Sequence, residues 1–426
     1  MDLLLVTAGS AGDVHPFVGL GRALRGRGHR VAVLTYPSFA ELVTSAGLDY
    51  VCLPRPVRTR EPAKGGLPGS LLKVADRRWR KLARRSTALP HLRPIYEGIA
   101  RRAVPGETVV VAHHTALGAR VAHDRLGIPL VSVHLAPAGL RSAYSPSVQP
   151  PLRFPRWAPR WYVRAAYWLL DVAIIDRVLG APVNAFRREL GLAPVRRLYA
   201  GWKDSPRRVI GLYPEWFAPL QPDSPPQARL TGFSLFDGVG EGAVPAAIRP
   251  FLEGGPPVVL TSSSETRSGR RLFGQGVEAC RQLRRRALVL TRYREQVPDP
   301  LPDGFCWAEY APFSQILPRA AAVVHQGGVG TAAQALAAGV PQLVVPLKND
   351  QFDNARRLER LGVARVSSRR DCTAAAMARH LDYLLNSPEV AERCRDYAGR
   401  LAVADALGDT CRLIEEMRPP HAEAAA

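Results

Sequence analysis

Residues Val323 to Asn354 read VVHQGGVGTAAQALAAGVPQLVVPLKNDQFDN. An apolar run ends in His325, and the turn HQGGVGT (His325 to Thr331) follows at once. An Ala-rich stretch, Ala332 to Ala338, closes at Gly339. A second apolar run, Pro341 to Pro346, leads into the polar cluster Lys348-Asn349-Asp350-Gln351. The pattern predicts strand, glycine turn, helix, strand and polar loop, which is one βαβ unit. Gly327, Gly328 and Gly330 at a helix start let backbone N–H groups approach an anion, and the helix dipole favours negative charge there. Alone, the same glycines would serve tight strand-to-helix packing equally well. No GxxxxGK[ST] occurs, so the expected anion is a phosphate or diphosphate held outside a Walker loop.

The flanks add to this. His325 falls at the carboxyl end of a strand, where open α/β sheets bind ligands. With Thr331 it is expected to hydrogen-bond the anion. Asp350 and Gln351 follow the next strand and so share that sheet edge; a carboxylate beside an amide suits the paired hydroxyls of a sugar. Diphosphate donors below a hydroxyl clamp add up to a nucleotide-sugar site.

The amino-terminal half alternates strands (3–7, 29–35, 50–53, 108–112, 130–134) with helices (17–26, 39–46, 116–126), so a parallel, doubly wound sheet is expected. Residues 54–68 read as a long loop. An aromatic, Pro-rich region (145–161) and a helical stretch (163–190) follow, either an acceptor pocket or domain packing. Residues 1–211 form the expected first domain, 212–228 a Pro-rich linker and 229–400 a second domain with strands at 258–261, 287–290, 305–307, 321–325 and 342–345. Residues 388–417 read as helical, and 401–426 are expected to form a helix and tail that pack back on the first domain.

Specific residues now carry a resemblance. HQGGVGT, GVPQLVVP and DQFDN look like the donor-binding signature of family 1 glycosyltransferases, and LLLVTAGSAGDVHPFVGLGRALRGRGHRVAVLT resembles their acceptor-side start. WKDSPRRVIGLYPEWFAP and LTGFSLFDG resemble the rhamnosyltransferase of rhamnolipid biosynthesis and its bacterial natural-product relatives. The resemblance runs from about Leu3 to Val366. It implies the GT-B architecture: two facing Rossmann-like domains with the acceptor on the first, the nucleotide-sugar donor on the second and a cleft between. A nucleotide-sugar epimerase of similar fold and a non-catalytic nucleotide-binding helper subunit are the alternatives.

In that family the turn GSAGDVHP places a catalytic His or Asp after a Gly, and Asp13 matches it. A carboxylate there can take the acceptor proton as the glycosidic bond forms. Otherwise Asp13 only caps the next helix, an ordinary job for Asp, and His15 is the runner-up base. Gly12 and the pair His113-His114 fall on the acceptor side, the histidines either touching acceptor or satisfied in the interior. Tyr310 stands where plant relatives stack a Trp on the base. Gln334 stands near their ribose-gripping Glu, which favours a deoxyribose donor, dTDP over UDP. Asn354 matches a position near sugar and diphosphate. Ser264 aligns with a Ser of the family's Gly-Ser turn, although SSSE departs from that turn. No DxD occurs, so an inverting mechanism without metal or other cofactor is expected, with dTDP- or UDP-sugar as co-substrate. The sugar expected is a 6-deoxyhexose such as rhamnose, and the acceptor a hydroxy-fatty acid, lipid or secondary metabolite.

Composition bounds these readings. The 426 residues are 46% hydrophobic, enough for two or three domains with real cores. Six scattered cysteines without a CxxC pair argue against a disulfide framework or a zinc site and suit a reducing cytosol. The start MDLLLVTAGS reads as a buried strand, not a signal peptide. The net charge of +21 is nearly all arginine, lysine occurring only at 64, 73, 81, 203 and 348. It is either a solvated surface or, through the run DRRWRKLARR at 76–85, a peripheral contact with an anionic membrane face. No nucleic-acid module is visible, and none is expected as partner.

Overall fold

In the computed structural model, residues 1–55, 88–148, 154–155, 157–238, 244–246, 248–262 and 269–417 are described. Ser264, the basic run 76–85, most of the 54–68 loop and the tail from Arg418 lie outside them.

The hydrophobic runs form two sheets in which every strand pairing is parallel. The first holds β1 (Asp2–Val6), β2 (Arg30–Thr35), β3 (Asp49–Cys52), β4 (Thr108–His113), β5 (Leu130–His134), β6 (Arg208–Gly211) and β7 (Ala228–Leu230) in the order β3-β2-β1-β4-β5-β6-β7. The second holds β8 (Val258–Thr261), β9 (Ala287–Leu290), β10 (Phe305–Ala308), β11 (Ala322–His325), β12 (Gln342–Val344) and β13 (Ala364–Val366) in the order β10-β9-β8-β11-β12-β13. Both are Rossmann-type orders. Each reverses direction once, between β1 and β4 and between β8 and β11, and the crevice at such a reversal is where these sheets take ligands.

Central strands such as β1, β4 and β11 are buried along their whole length, which explains their unbroken apolar runs. Val258, Leu260, Val324 and Leu343 lie in one core with the helices of the second domain. Leu3, Leu5, Val109 and Val111 lie in another with Phe17, Leu20 and Leu24. That first-domain core is completed from the far end of the chain. Cys411, Ile414 and Met417, from the helix Ala406–Glu415 and the residues after it, pack into it. Glu415 accepts from Arg27 Nε at 2.7 Å and pairs with His29 Nε2 at 2.8 Å.

Several elements differ from the sequence reading. The first helix spans Ala11–Gly26, not 17–26, and carries Pro16 inside it. Proline normally marks a helix's first turn or its end, but here the start is fixed upstream. β6, β7 and β13 have three or four residues, too short for an alternation to show. β7 still belongs to the first sheet, so the chain leaves that sheet only after Leu230. Before it, Tyr213, Phe217 and Ala218 pack into the second core, so the stretch 212–227 is structured packing rather than a free connection. Residues 160–189 are helical with a π-type stretch, Asp171–Gly180, in the middle. Among the described residues no helix is long and apolar enough to cross a membrane.

Candidate functional site

β1 leads through Gly9 and Ser10 into the helix that carries Asp13. Asp13 Oδ2 accepts from Ser10 N at 2.8 Å and from Ser10 Oγ at 3.0 Å, and Thr7 Oγ1 donates to Asp13 O at 2.8 Å. This is a capping box that starts the helix at Ala11. Gly9 has φ +149°, and a Cβ on it would lie 2.3 Å from Asp13 Oδ2, so only glycine lets the backbone pass the carboxylate. Among the described residues no hydrogen bond reaches Asp13 Oδ1. Capping therefore occupies one oxygen and leaves the other.

Around it, Gly12 is exposed and His15 half-buried. The His15 ring lies 6.1 Å from that of Phe236; burial lowers its pKa, with the Asp237 charge opposing. His113, at the end of β4, is buried with Nδ1 2.6 Å from Thr115 Oγ1. Burial lowers its pKa while the Asp13 carboxylate pulls the other way, so the two groups share one electrostatic environment. His114 stacks on His134, centroids 4.3 Å apart at 10°. His134 Nε2 is 2.9 Å from Asp204 Oδ1, and Lys203 Nζ donates to Asp204 Oδ2 at 2.6 Å. Burial takes His134 down to about 4. It works to raise Asp204 too, but the charges and hydrogen bonds of His134 and Lys203 outweigh it and hold that carboxyl well below the usual range. The backing of His114 by His134, Asp204 and Lys203 carries no signal in the sequence beyond a lone Lys-Asp pair.

In the second sheet β11 ends at His325. Its fully buried ring turns inward, Nε2 3.0 Å from Gln342 Oε1, while Gly327 N donates to Nδ1 at 3.1 Å. These partners imply a proton on Nε2, and burial lowers the imidazole to about 4, so it is neutral. Both ring nitrogens thus have partners within the protein, and the residue shapes the turn that is expected to meet the anion. Gly327 has φ +89°, and a Cβ there would lie 2.9 Å from Val344 Cγ1 and 3.0 Å from Gln351 O.

Gly328 precedes the helix Val329–Ala337, and no side chain caps it. The first intrahelical bond is from Ala332 N to Gly328 O at 3.0 Å, so the N–H groups of Val329, Gly330 and Thr331 point out of the turn. Around Gly330 a Cβ would meet nothing within 4 Å, and Thr331 is half-buried. The side chain beside this opening is Gln326. It is 7% exposed; its Nε2, a donor, lies on the Gly328 side of the turn, while its Oε1, an acceptor, is buried without a hydrogen-bond partner among the described residues. Sequence reasoning missed it, although the alternation of a strand puts only one of two successive side chains inward.

The loop after β12 closes the site. Asn354 Nδ2 donates to Gly327 O at 3.0 Å and to Asp350 Oδ2 at 2.9 Å, while its Oδ1 is buried and unpartnered among the described residues. Gln351 Oε1 accepts from Leu347 N and Lys348 N at 2.9 and 3.0 Å, so its carbonyl folds the loop instead of facing a sugar. Asp350 is half-buried. Burial raises its carboxyl to about 6 against the hydrogen bond from Asn354, and the Asp13 charge adds to the rise. Carboxylates from the two domains thus face one cleft. Val329 packs against both domain cores, closing the gap beside them. Gln334 Nε2 donates to Leu235 O at 2.7 Å and clasps the crossover between domains. Tyr310 is 54% exposed and donates its hydroxyl to Asp237 O at 2.7 Å, which leaves a ring face open.

Known proteins agree on what kind of molecule this is. The model of the glycosyltransferase family 28 N-terminal domain matches residues 3–145, and that of the erythromycin biosynthesis protein CIII-like C-terminal domain matches residues 287–406. O-mycaminosyltylonolide 6-deoxyallosyltransferase of Streptomyces fradiae is 32% identical, covering 98% of this chain and 97% of that protein. Glycosyltransferase GtfE of Amycolatopsis orientalis is 31% identical, covering 94% and 93%. The spinosyn rhamnosyltransferase SpnG complexed with thymidine diphosphate superposes with a TM-score of 0.68 at 20% identity, over 97% of this chain and all of that one. The chain belongs to this family of GT-B glycosyltransferases.

Proposed function

We propose that the chain moves a hexose, inverting its anomeric centre and without a metal, from a dTDP- or UDP-sugar to a hydroxyl of an apolar secondary metabolite. The reading is carried by an Asp13 oxygen without a hydrogen bond among the described residues, together with an uncapped glycine-led helix start whose Val329 packs on the first-domain core. The acceptor hydroxyl hydrogen-bonds Asp13 Oδ1 and attacks the anomeric carbon from the first-domain side. Its proton passes to the carboxylate as the new C–O bond forms. The bond from that carbon to the diphosphate oxygen breaks on the opposite side, and its electron pair stays with the diphosphate. The N–H groups of Val329, Gly330 and Thr331, with the side-chain N–H of Gln326 Nε2, stabilise that charge, as oriented backbone dipoles do at helix starts. Asp350 accepts from sugar hydroxyls, with Asn354 and Gly327 holding it in place.

A 6-deoxyhexose is favoured by the name of the 6-deoxyallosyltransferase relative, and that enzyme's acceptor is likewise a natural product by its name. Tyr310 offers a face for a pyrimidine, and Gln334 in place of a carboxylate favours deoxyribose. The six cysteines are all free thiols, in keeping with a reducing cytoplasm.

The test is nucleotide release followed by mass spectrometry, with candidate acceptors supplied and EDTA in excess. Release should accelerate on adding acceptor, and the product should gain one hexose without any added cation. A changed sugar formed without acceptor would overturn the reading, and so would activity that returns only with Mg²⁺ or Mn²⁺.

A further inference from the structure

The helix Arg160–Leu170 and the turn before it present an apolar stripe that no described part of the chain covers. Trp157, Trp161 and Trp168 are 82%, 70% and 53% exposed and Leu169 is 59% exposed, with Val172 continuing the line. Residues 161, 165, 168, 169 and 172 fall on one face of a helix. Soluble surfaces scatter their large apolar side chains singly, so two indoles and a leucine on one helical face, with the exposed Trp157 in the turn before it, mark a contact surface.

Charge selects the occupant. Residues 157–170 contain five aromatic side chains and two arginines but no acid. Arg160 and Arg164 are exposed along the edge of the stripe, and neither takes part in an ion pair among the described residues. The next acids are turned inward: Asp171 is buried against Arg141 Nη1 at 2.6 Å, and Asp176 accepts from Arg197 N and Leu198 N at 2.8 Å each. The surface is therefore apolar and cationic. A second copy seated on it would bring its own Arg160 and Arg164 and its own +21 net charge against the first. A leaflet of anionic lipid complements both halves, with tryptophans in the headgroup layer and arginines at phosphate level.

We infer that the stripe Trp157-Trp161-Trp168-Leu169-Val172, with Arg160 and Arg164, docks the first domain reversibly on an anionic lipid surface. This does not depend on the sugar or the acceptor.

The experiment is flotation of the full chain with vesicles of phosphatidylcholine alone and of equal parts phosphatidylcholine and phosphatidylglycerol, with sedimentation equilibrium run in parallel. The wild type should float with the anionic vesicles and be released by salt. The pair W161S/W168S removes mostly exposed surface, so its melting temperature should fall little while its bound fraction falls about tenfold or more. R160Q/R164Q should bind more weakly and with less salt dependence. Equal flotation of wild type and W161S/W168S would overturn the inference, as would equal binding to neutral vesicles. A lipid-independent dimer that W161S/W168S dissociates would assign the stripe to a second copy instead.

Discussion

The two glycine-led turns, one in each domain, are built on one plan and finished differently. Ser10 and Gly328 precede their helices by one residue, so Gly12 aligns with Gly330 and Asp13 with Thr331. In the first turn the third helical residue is a carboxylate that takes the Ser10 N–H. In the second it is a threonine, no side chain caps the start, and the residue before it has open space around it. The first turn supplies its own anion and therefore has a base to offer. The second lacks one and, in the proposed mechanism, is completed by the donor diphosphate. The proposed mechanism thus divides a common scaffold between proton removal and leaving-group stabilisation by what stands at one helical position.

The largest effect should come from removing the basicity of the first turn while keeping its shape. Asp13→Asn keeps a side-chain oxygen to accept from Ser10 N in the capping box but cannot take a proton, so turnover should fall roughly 10²–10⁴-fold with donor affinity and melting temperature kept. Turnover within a few-fold of wild type would reduce Asp13 to a cap and move the base to His15. Next, the neighbours His325 and Gln326 should separate. Gln326→Ala should weaken dTDP binding by about 1.5–3 kcal/mol, as loss of a hydrogen bond to a charged group does, with little change in unfolding. His325→Ala should instead show in denaturant unfolding. It leaves Gly327 N and Gln342 Oε1 without their partner, at about 1–3 kcal/mol for the stranded buried groups. The reverse pattern would mean that the imidazole, not the amide, meets the anion.

A smaller effect tests the clamp. The Asp350 carboxyl stands near 6 in the fold and accepts from a pair of sugar hydroxyls with both oxygens, and most strongly, when ionised. Nucleotide-sugar affinity should therefore drop about tenfold from pH 7 to pH 5, and Asp350→Asn should flatten the dependence. Stability has the opposite sign. A folded pKa raised above the unfolded one makes a contribution that is full below the unfolded carboxylate range and lost as pH rises through about 6. His325 and His134, both lowered to about 4, contribute stability above the ordinary imidazole value that is lost on acidification from there towards 4. Unfolding at graded pH of Asp350→Asn beside wild type separates the two.

The second turn was readable because strand, glycines, helix and strand lie contiguously in 32 residues whose periodicities change at glycines. The first turn was half readable. Asp13 stands out after a strand, but Pro16 hides the true helix start, which a capping box fixes six residues earlier than the apolar pattern. Side-chain direction was not readable at the site. His325 is the more chemical-looking residue, yet the inward register of β11 gives its nitrogens to Gln342 and Gly327 and leaves Gln326 at the opening. Nor does spacing show that loop backbone donates to Gln351 Oε1 or that Gln334 Nε2 donates to the crossover backbone. The His134–Asp204 pair joins β5 to a segment about seventy residues on, a contact that spacing does not encode.

The second turn binds an anion, on this reading, because it has none of its own. Thr331→Asp gives it one, at the position Asp13 holds in the first turn, and an acid in a first helical turn favours the fold. Calorimetric titration of dTDP into wild type and this variant, both in EDTA, puts the matter to the test. Wild type should bind, and the variant should lose about a hundredfold or more in affinity, about 2.7 kcal/mol, while melting no lower than wild type. Undiminished dTDP affinity in the variant would contradict it.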